Sequence, residues 1–148
     1  MKGVIGIGNI LKRDDGIGIR LVKELENRSL PSDIRIIDAD TGGLKVLHAL
    51  KDFDKVIVID AVKLGREPGE FSFFSPEEVR SLAETKSSHE IDLLEILELS
   101  KQLGRTPEEI VIMGIEPGDT SFGEDLSPEL EERFSELSDR LYEKIEEL

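Results

Sequence analysis

Hydrophobic positions along the chain switch repeatedly between a strand-like and a helix-like rhythm, and each switch predicts a change of element. Val4-Ile5 leads into Gly6-Ile7-Gly8-Asn9, a run too short for a helix, and from Ile17 onward Leu21, Val22 and Leu25 fall on one side of a helix. That pattern predicts strand, loop, helix. Ile34-Arg35-Ile36-Ile37 predicts a second strand that ends at Asp38, followed by the loop Asp38-Ala39-Asp40-Thr41-Gly42-Gly43 and a short helix carrying Leu44, Leu47 and Leu50. Val56-Ile57-Val58-Ile59 is apolar at every position, as a central strand covered on both faces requires, and it ends at Asp60.

Phe71-Ser72-Phe73-Phe74 predicts a short edge strand of opposite direction, and Ser75-Pro76 the cap and first residue of a short helix. Ser87 and Glu90 have capping-box spacing ahead of an apolar-rich helical run from Ile91 to Leu103, closed by Gly104. Ile110 to Ile115 is the last predicted strand. Ser127-Pro128 then opens a helix whose apolar stripe is Leu130, Phe134, Leu137, Leu141, Ile145 and Leu148. Alternating strands and helices without repeat or linker predict one domain over residues 1–148. Its expected form is a three-layer α/β/α sandwich around a mostly parallel, twisted sheet of about five strands, with one short antiparallel edge strand.

Composition narrows the function classes. Apolar residues make up 38% of the 148 and aromatics 5%, with no Trp, so the core is expected to be aliphatic. A net charge of −14 argues against nucleic acid or an anionic membrane as partner, because phosphate contact needs a basic face. The absence of cysteine removes disulfides, thiolate nucleophiles and sulfur-rich metal sites together. No apolar run reaches the roughly 20 residues of a membrane span and no signal-peptide profile opens the chain, so a cytoplasmic location is expected.

In an open α/β sheet, ligands bind beyond the carboxyl ends of the strands, so the loop after the first strand is the default place to look. A dinucleotide fingerprint needs a third glycine where this chain has Leu11. Asp14 and Asp15 also put two negative charges where a pyrophosphate would otherwise meet a helix N-terminus, so the loop suits a cation or a proton. A purely structural alternative makes Asp14 an N-cap and Asp15 a complement to the helix dipole. The chain has no Gly-X-Ser-X-Gly elbow, and His89-Glu90 lacks the second His of a zincin helix. Asp40-Thr41-Gly42 and Asp119-Thr120-Ser121 have the look of aspartic-protease loops, but they sit between a strand and a helix, whereas that class is all-β.

Of the two histidines, His48 falls among the apolar positions of the second helix and reads as a surface or boundary residue. His89 stands at a helix start, where the dipole disfavours the imidazolium and keeps a neutral, ligand-competent ring. Asp15, Asp60 and His89 come from three regions that an α/β topology brings toward one sheet edge. Two carboxylates and an imidazole form a mixed oxygen and nitrogen set suited to nickel, zinc, iron or manganese.

The ordered series Gly6-Ile7-Gly8-Asn9-Ile10-Leu11, the acidic pair, Gly16-Ile17-Gly18, Asp38 to Gly43, Val58-Ile59-Asp60-Ala61, Ser88-His89, Gly114-Ile115-Glu116-Pro117 and Leu126-Ser127-Pro128 resembles the nickel–iron hydrogenase maturation endopeptidases. The resemblance spans nearly the whole chain. It implies a cytoplasmic hydrolase that removes a C-terminal extension from the precursor of a [NiFe] hydrogenase large subunit after nickel insertion. In that family a first-loop acidic residue, an Asp after the central strand and a His bind the metal; these match Asp15, Asp60 and His89. Asp38 falls in a loop that the family uses for function, which makes it a fourth candidate catalytic residue. The first-loop group is often Glu in the family, so Asp15 shortens that arm by one methylene, and Asp40 stands where glycine is common.

The resemblance further implies that the divalent metal is nickel supplied by the substrate, with zinc or cadmium as substitutes in vitro, and a chain that is a monomer or weak homodimer. Two further readings stay open. One is a non-catalytic nickel-checkpoint or metallochaperone-like module in hydrogenase maturation. The other is a small-ligand Rossmann-like binder, which Asp38 favours and Leu11 and Asp15 oppose.

Overall fold

The computed structural model of the protein describes residues 1–82, 88–104 and 106–148, and of residues 88–92 the backbone. Four strands run parallel: β1 (Lys2–Gly6), β2 (Ile34–Asp38), β3 (Lys55–Ala61) and β5 (Glu109–Ile115). The fifth, β4 (Phe71–Phe74), lies antiparallel to β5, in the sheet order β2-β1-β3-β5-β4. The edge position and reversed direction expected for Phe71 to Phe74 are both found.

Side chains alternate across the central strands and so build two separate cores. Val4, Ile57, Ile59, Met113 and Ile115 face α1 (Ile17–Leu25) and α5 (Pro128–Glu147). Ile5, Val56, Val58 and Ile112 face α2 (Gly43–Leu50), α3 (Pro76–Leu82) and α4 (Ser88–Gln102). Helices therefore cover both faces, and β3 is buried along nearly its whole length, which is why its sequence shows no polar alternation. The α5 stripe is buried as its spacing predicts, with Phe134 only partly covered.

Helix ends follow local chemistry. Glu78 N–H donates to Ser75 Oγ at 3.2 Å and Ser75 N–H to Glu78 Oε1 at 2.9 Å, a reciprocal capping box that the Ser-Pro-Glu-Glu stretch encodes but that the cap-and-proline reading overlooks. Gly104 closes α4 at a φ of +69°, where a side chain would be strained. The Ser87–Glu90 box expected at the start of α4 lies outside the described residues. The short helix expected to carry Leu44, Leu47 and Leu50 is found as α2. Leu44 is 78% exposed, and the buried residues are Val46, Ala49 and Leu50. The helix begins only at Gly43, so Leu44 stands in its first turn, and the sheet-facing side is set by Val46 and Leu50, four residues apart. His48 is exposed, in keeping with a surface role.

The order β2-β1-β3 positions the site. From β1 the chain leaves through α1 on one face to reach β2, then returns through α2 on the opposite face to reach β3 on the other side of β1. The connections diverge between the carboxyl ends of β1 and β3, the switch point where open α/β sheets leave a crevice.

Candidate active site at the carboxyl edge

The loop after β1 does not turn directly into α1. It arches over the end of β3 and touches the loop after β5: Asp14 N–H donates to Asp119 O at 3.0 Å, Arg13 N–H to Gly123 O at 3.1 Å, and Gly123 N–H to Leu11 O at 2.9 Å. Its glycines permit this path. Gly8 has a φ of +147°, and a Cβ there would collide with the carbonyl oxygen of Asp15. A Cβ on Gly18 would collide with the carbonyl oxygen of Ile59, so only glycine lets α1 start against the end of β3.

Asp14 and Asp15 lie in a 3-10 turn, Arg13–Gly16, ahead of α1, whose N-cap is Gly16 without a side-chain cap bond. Neither carboxylate caps α1. Asp14 is fully buried and meets a different helix. Its Oδ2 accepts from Gly118 N–H at 2.7 Å, Asp119 N–H at 2.9 Å and Ser127 Oγ–H at 2.7 Å, and its Oδ1 from Ser127 N–H at 2.8 Å. Ser127 is the N-cap of α5, so Asp14 ties the first loop to the last and sets a negative charge at the positive end of a 20-residue helix. The Ser127–Pro128 signature predicts this cap. Its link to Asp14, 113 residues away, leaves no local signal in the sequence.

Asp15 is only partly buried, and its Oδ2 accepts from Asn9 N–H at 3.0 Å. Asp60 follows Val56 and Val58 on the strand period, which turns it toward α2 and α4. It is fully buried, accepts from Ala61 N–H at 2.9 Å, and lines a cavity of about 370 Å3. Ile7, Val46, Leu93, Ile96 and Leu99 form the apolar walls of that cavity, and Thr41 and Gly42 part of its rim. Ile7 N–H donates to Ile59 O at 3.0 Å, so the peptide before Asp60 is tied to the start of the loop that carries Asp15.

Asp38 is exposed at the end of β2, and its Oδ1 accepts from Asp40 N–H at 2.9 Å in an Asx turn. Asp40 has a φ of +55°, the left-handed region that glycine adopts without cost and aspartate tolerates. Its carbonyl accepts from Gly8 N–H at 2.9 Å, so the loops after β1 and β2 share a backbone bond. Asp15, Asp38 and Asp60 thus all belong to the carboxyl edge. His89 falls in the first turn of α4, and its side chain lies outside the described residues. Among the described residues no three His, Cys, Asp or Glu side chains group closely enough to hold a metal ion.

Two further acidic residues shape the rim. Glu116, buried after β5, accepts at Oε1 from Leu64 N–H at 2.8 Å and Arg66 N–H at 3.1 Å, holding the loop after β3 against that after β5. Asp119 accepts from Ser121 Oγ–H at 2.6 Å and Ser121 N–H at 2.9 Å, and those bonds, with Arg13 at 3.8 Å, hold its carboxyl below its usual pKa.

A family model described as hydrogenase maturation protease matches residues 19–147. The chain belongs to the hydrogenase maturation protease family. Hydrogenase maturation proteases are peptidases. The hydrogenase expression/formation protein HupD of Bradyrhizobium diazoefficiens is 35% identical over 136 residues, covering 89% of this chain and 71% of the relative. The hydrogenase 2 maturation protease of Escherichia coli is 34% identical over 117 residues, covering 77% of this chain and 71% of its own. The chain spans 62% of a second HupD protein, from Thiocapsa roseopersicina. In structure it is similar to the hydrogenase maturating endopeptidase HybD from Escherichia coli, with a TM-score of 0.88 at 30% identity over 99% of this chain and 92% of that one. No helix among the described residues is long and apolar enough to cross a membrane.

Proposed function

We propose that this protein is the endopeptidase that trims the C-terminal extension from the precursor of a [NiFe] hydrogenase large subunit, in the cytoplasm, and that nickel already inserted in the precursor is what it recognises. What supports the reading is that the loop after β1, which carries Asp15, and the end of β3, which carries Asp60, both lie at the β1/β3 switch point, where Asp60 lines a cavity with apolar walls, in a chain of the hydrogenase maturation protease family. Carboxylate oxygens are suitable donors for a divalent ion, and the one imidazole assigned to the set, His89, adds the nitrogen that nickel favours.

In this reading Asp15, Asp60 and His89 take hold of substrate-borne nickel, and the scissile bond arrives in the crevice with it. Orientation supplies much of the rate, since a held peptide bond reacts as part of one assembly rather than by chance encounter. Asp38, exposed at the neighbouring strand end, is assigned substrate positioning and acid–base support. No Cys is present to act as nucleophile, so the attacking group is assigned to water.

The test is incubation of the purified protein with nickel-loaded and nickel-free precursor, reading the released C-terminal peptide by mass spectrometry. Release only from the loaded form is expected. Release from both forms would remove nickel recognition. Tight binding of the loaded form without release would make the protein a non-catalytic checkpoint.

A further inference from the structure

We infer that Ile10, Leu11 and Phe122 form a docking surface for the folded body of the precursor, separate from the crevice that receives its tail. The inference rests on the proposed function for the identity of the partner. Phe122 is 81% exposed, Leu11 54% and Ile10 46%, although the domain has two well-filled cores in which to bury such residues. Single exposed apolar residues are ordinary, but three from two loops on one edge mark a contact surface.

The backbone places the two loops together and holds them there. Gly123 N–H donates to Leu11 O and Arg13 N–H to Gly123 O, a short parallel bridge that sets Phe122 beside Leu11 in the fold. Behind this bridge, the buried Asp14 carboxylate accepts from Gly118, Asp119 and Ser127, so the loop bearing Phe122 is anchored at both ends. An exposed aromatic on a loop braced in this way loses little freedom on binding, which is what a preorganised anchor requires.

Continuity with the candidate site and charge together choose the occupant. Leu11 N–H donates to Asn9 Oδ1 at 2.9 Å, and Asn9 N–H donates to Asp15 Oδ2 at 3.0 Å, so the surface is joined to a candidate nickel-holding carboxylate through one residue. A partner seated on Leu11 and Phe122 is therefore seated beside Asp15. A second copy would bring together two chains of net charge −14, and the exposed Glu124 and Asp125 next to Phe122 add to that repulsion. The fitting partner has an apolar recess for Phe122 with a neutral or basic rim facing those carboxylates.

The experiment compares Phe122→Ser, Leu11→Ser and the control Leu103→Ser. Leu103 is 51% exposed at the turn that ends α4, on the amino edge of the sheet. Binding of nickel-loaded precursor is followed by biolayer interferometry, and peptide release by mass spectrometry. Phe122→Ser is expected to raise Kd and KM by about tenfold or more, as loss of a central aromatic anchor does, with kcat changing far less than KM and an unchanged thermal midpoint. Leu11→Ser should act in the same direction, and Leu103→Ser should leave all these quantities as they are. Unchanged Kd and KM in both loop variants, while the wild type binds and cleaves, would overturn the docking surface alone. A wild-type dimer that Phe122→Ser dissociates in sedimentation equilibrium would overturn it too, by giving the surface to a second copy. A wild type that neither binds nor cleaves loaded precursor would overturn the proposed function and this surface with it.

Discussion

Asp14 and Asp15 are consecutive residues in one turn, and their surroundings divide the work of the carboxyl edge. Asp14 is fully buried and accepts from Gly118, Asp119 and twice from Ser127. Asp15 is partly exposed and accepts from Asn9 N–H. A carboxylate surrounded by donors that point at it is committed to holding the fold, while one with lone pairs facing outward keeps its capacity for a ligand. The same contrast holds between regions. The loops after β1 and β5 are fastened by the buried carboxylates of Asp14 and Glu116, whereas the loop after β2 is held by the exposed Asx turn of Asp38 and by backbone bonds: Ala39 N–H to Gly6 O, Gly8 N–H to Asp40 O and Gly42 N–H to Ala39 O.

The largest effect should come from breaking the fastened side. Asp14→Ala strands several buried N–H donors at once and removes the negative charge from the start of α5, so we expect a loss of about 3–5 kcal/mol in urea unfolding. A loss below about 1 kcal/mol would mean that the loops hold one another without the carboxylate. Asp14→Asn should be intermediate, because its amide oxygen keeps part of the acceptor set and its NH2 opposes the remaining donors.

Asp15→Ala is the complementary change. It removes one partly exposed hydrogen bond, so stability should shift by about 1 kcal/mol or less, while processing of nickel-loaded precursor should fall on the order of a hundredfold. Equal stability losses for the two variants would erase the division between them. Wild-type processing by Asp15→Ala would take Asp15 out of the site.

The legible part of this molecule is what local pattern encodes. The fully apolar Val56 to Ile59 announces a strand with both faces covered, and the α5 stripe announces its buried side. Strand direction in a parallel sheet puts Asp38 and Asp60 at the carboxyl ends of β2 and β3, and Asp15 follows in the loop that leaves β1 at the same edge. The alternative that makes Asp14 the N-cap of α1 fails because a capping rule sees only the next helix, and the helix that Asp14 meets is capped by Ser127, 113 residues on. The leucine spacing of Leu44, Leu47 and Leu50 finds the helix but does not give its inner face, which Val46 and Leu50 define. The exposure of Phe122 has no sequence signal, since a lone Phe between polar residues reads equally well as buried or bare.

Asp40 tests how much the looser side tolerates. At a φ of +55° a branched side chain meets the backbone, so Asp40→Val should cost about 1–2 kcal/mol, whereas Asp40→Gly should be close to neutral. Because Asp40 O accepts from Gly8 N–H, strain at this position reaches the first loop, and processing by the Val variant should fall more than its stability loss alone accounts for. If Asp40→Val is as stable as wild type, the left-handed turn does not constrain the loop.

The smallest expected effect is the acid dependence of the Asp119 turn. Bonds from the Ser121 hydroxyl and N–H, with Arg13 nearby, lower its carboxyl pKa from the ordinary 3.8 in the folded state. As the pH falls, the unfolded chain therefore takes up this proton before the folded one does, and the folded state loses ground. The contribution is fully present above about pH 3.8 and disappears as the pH drops through the lowered folded value. Unfolding of wild type and Asp119→Asn, followed from neutral pH downward, should show a small wild-type advantage that narrows over this window. Solvent around the exposed carboxylate keeps that advantage small. A difference that stays constant down to the lowest pH would place the role of Asp119 in its shape and not in its charge.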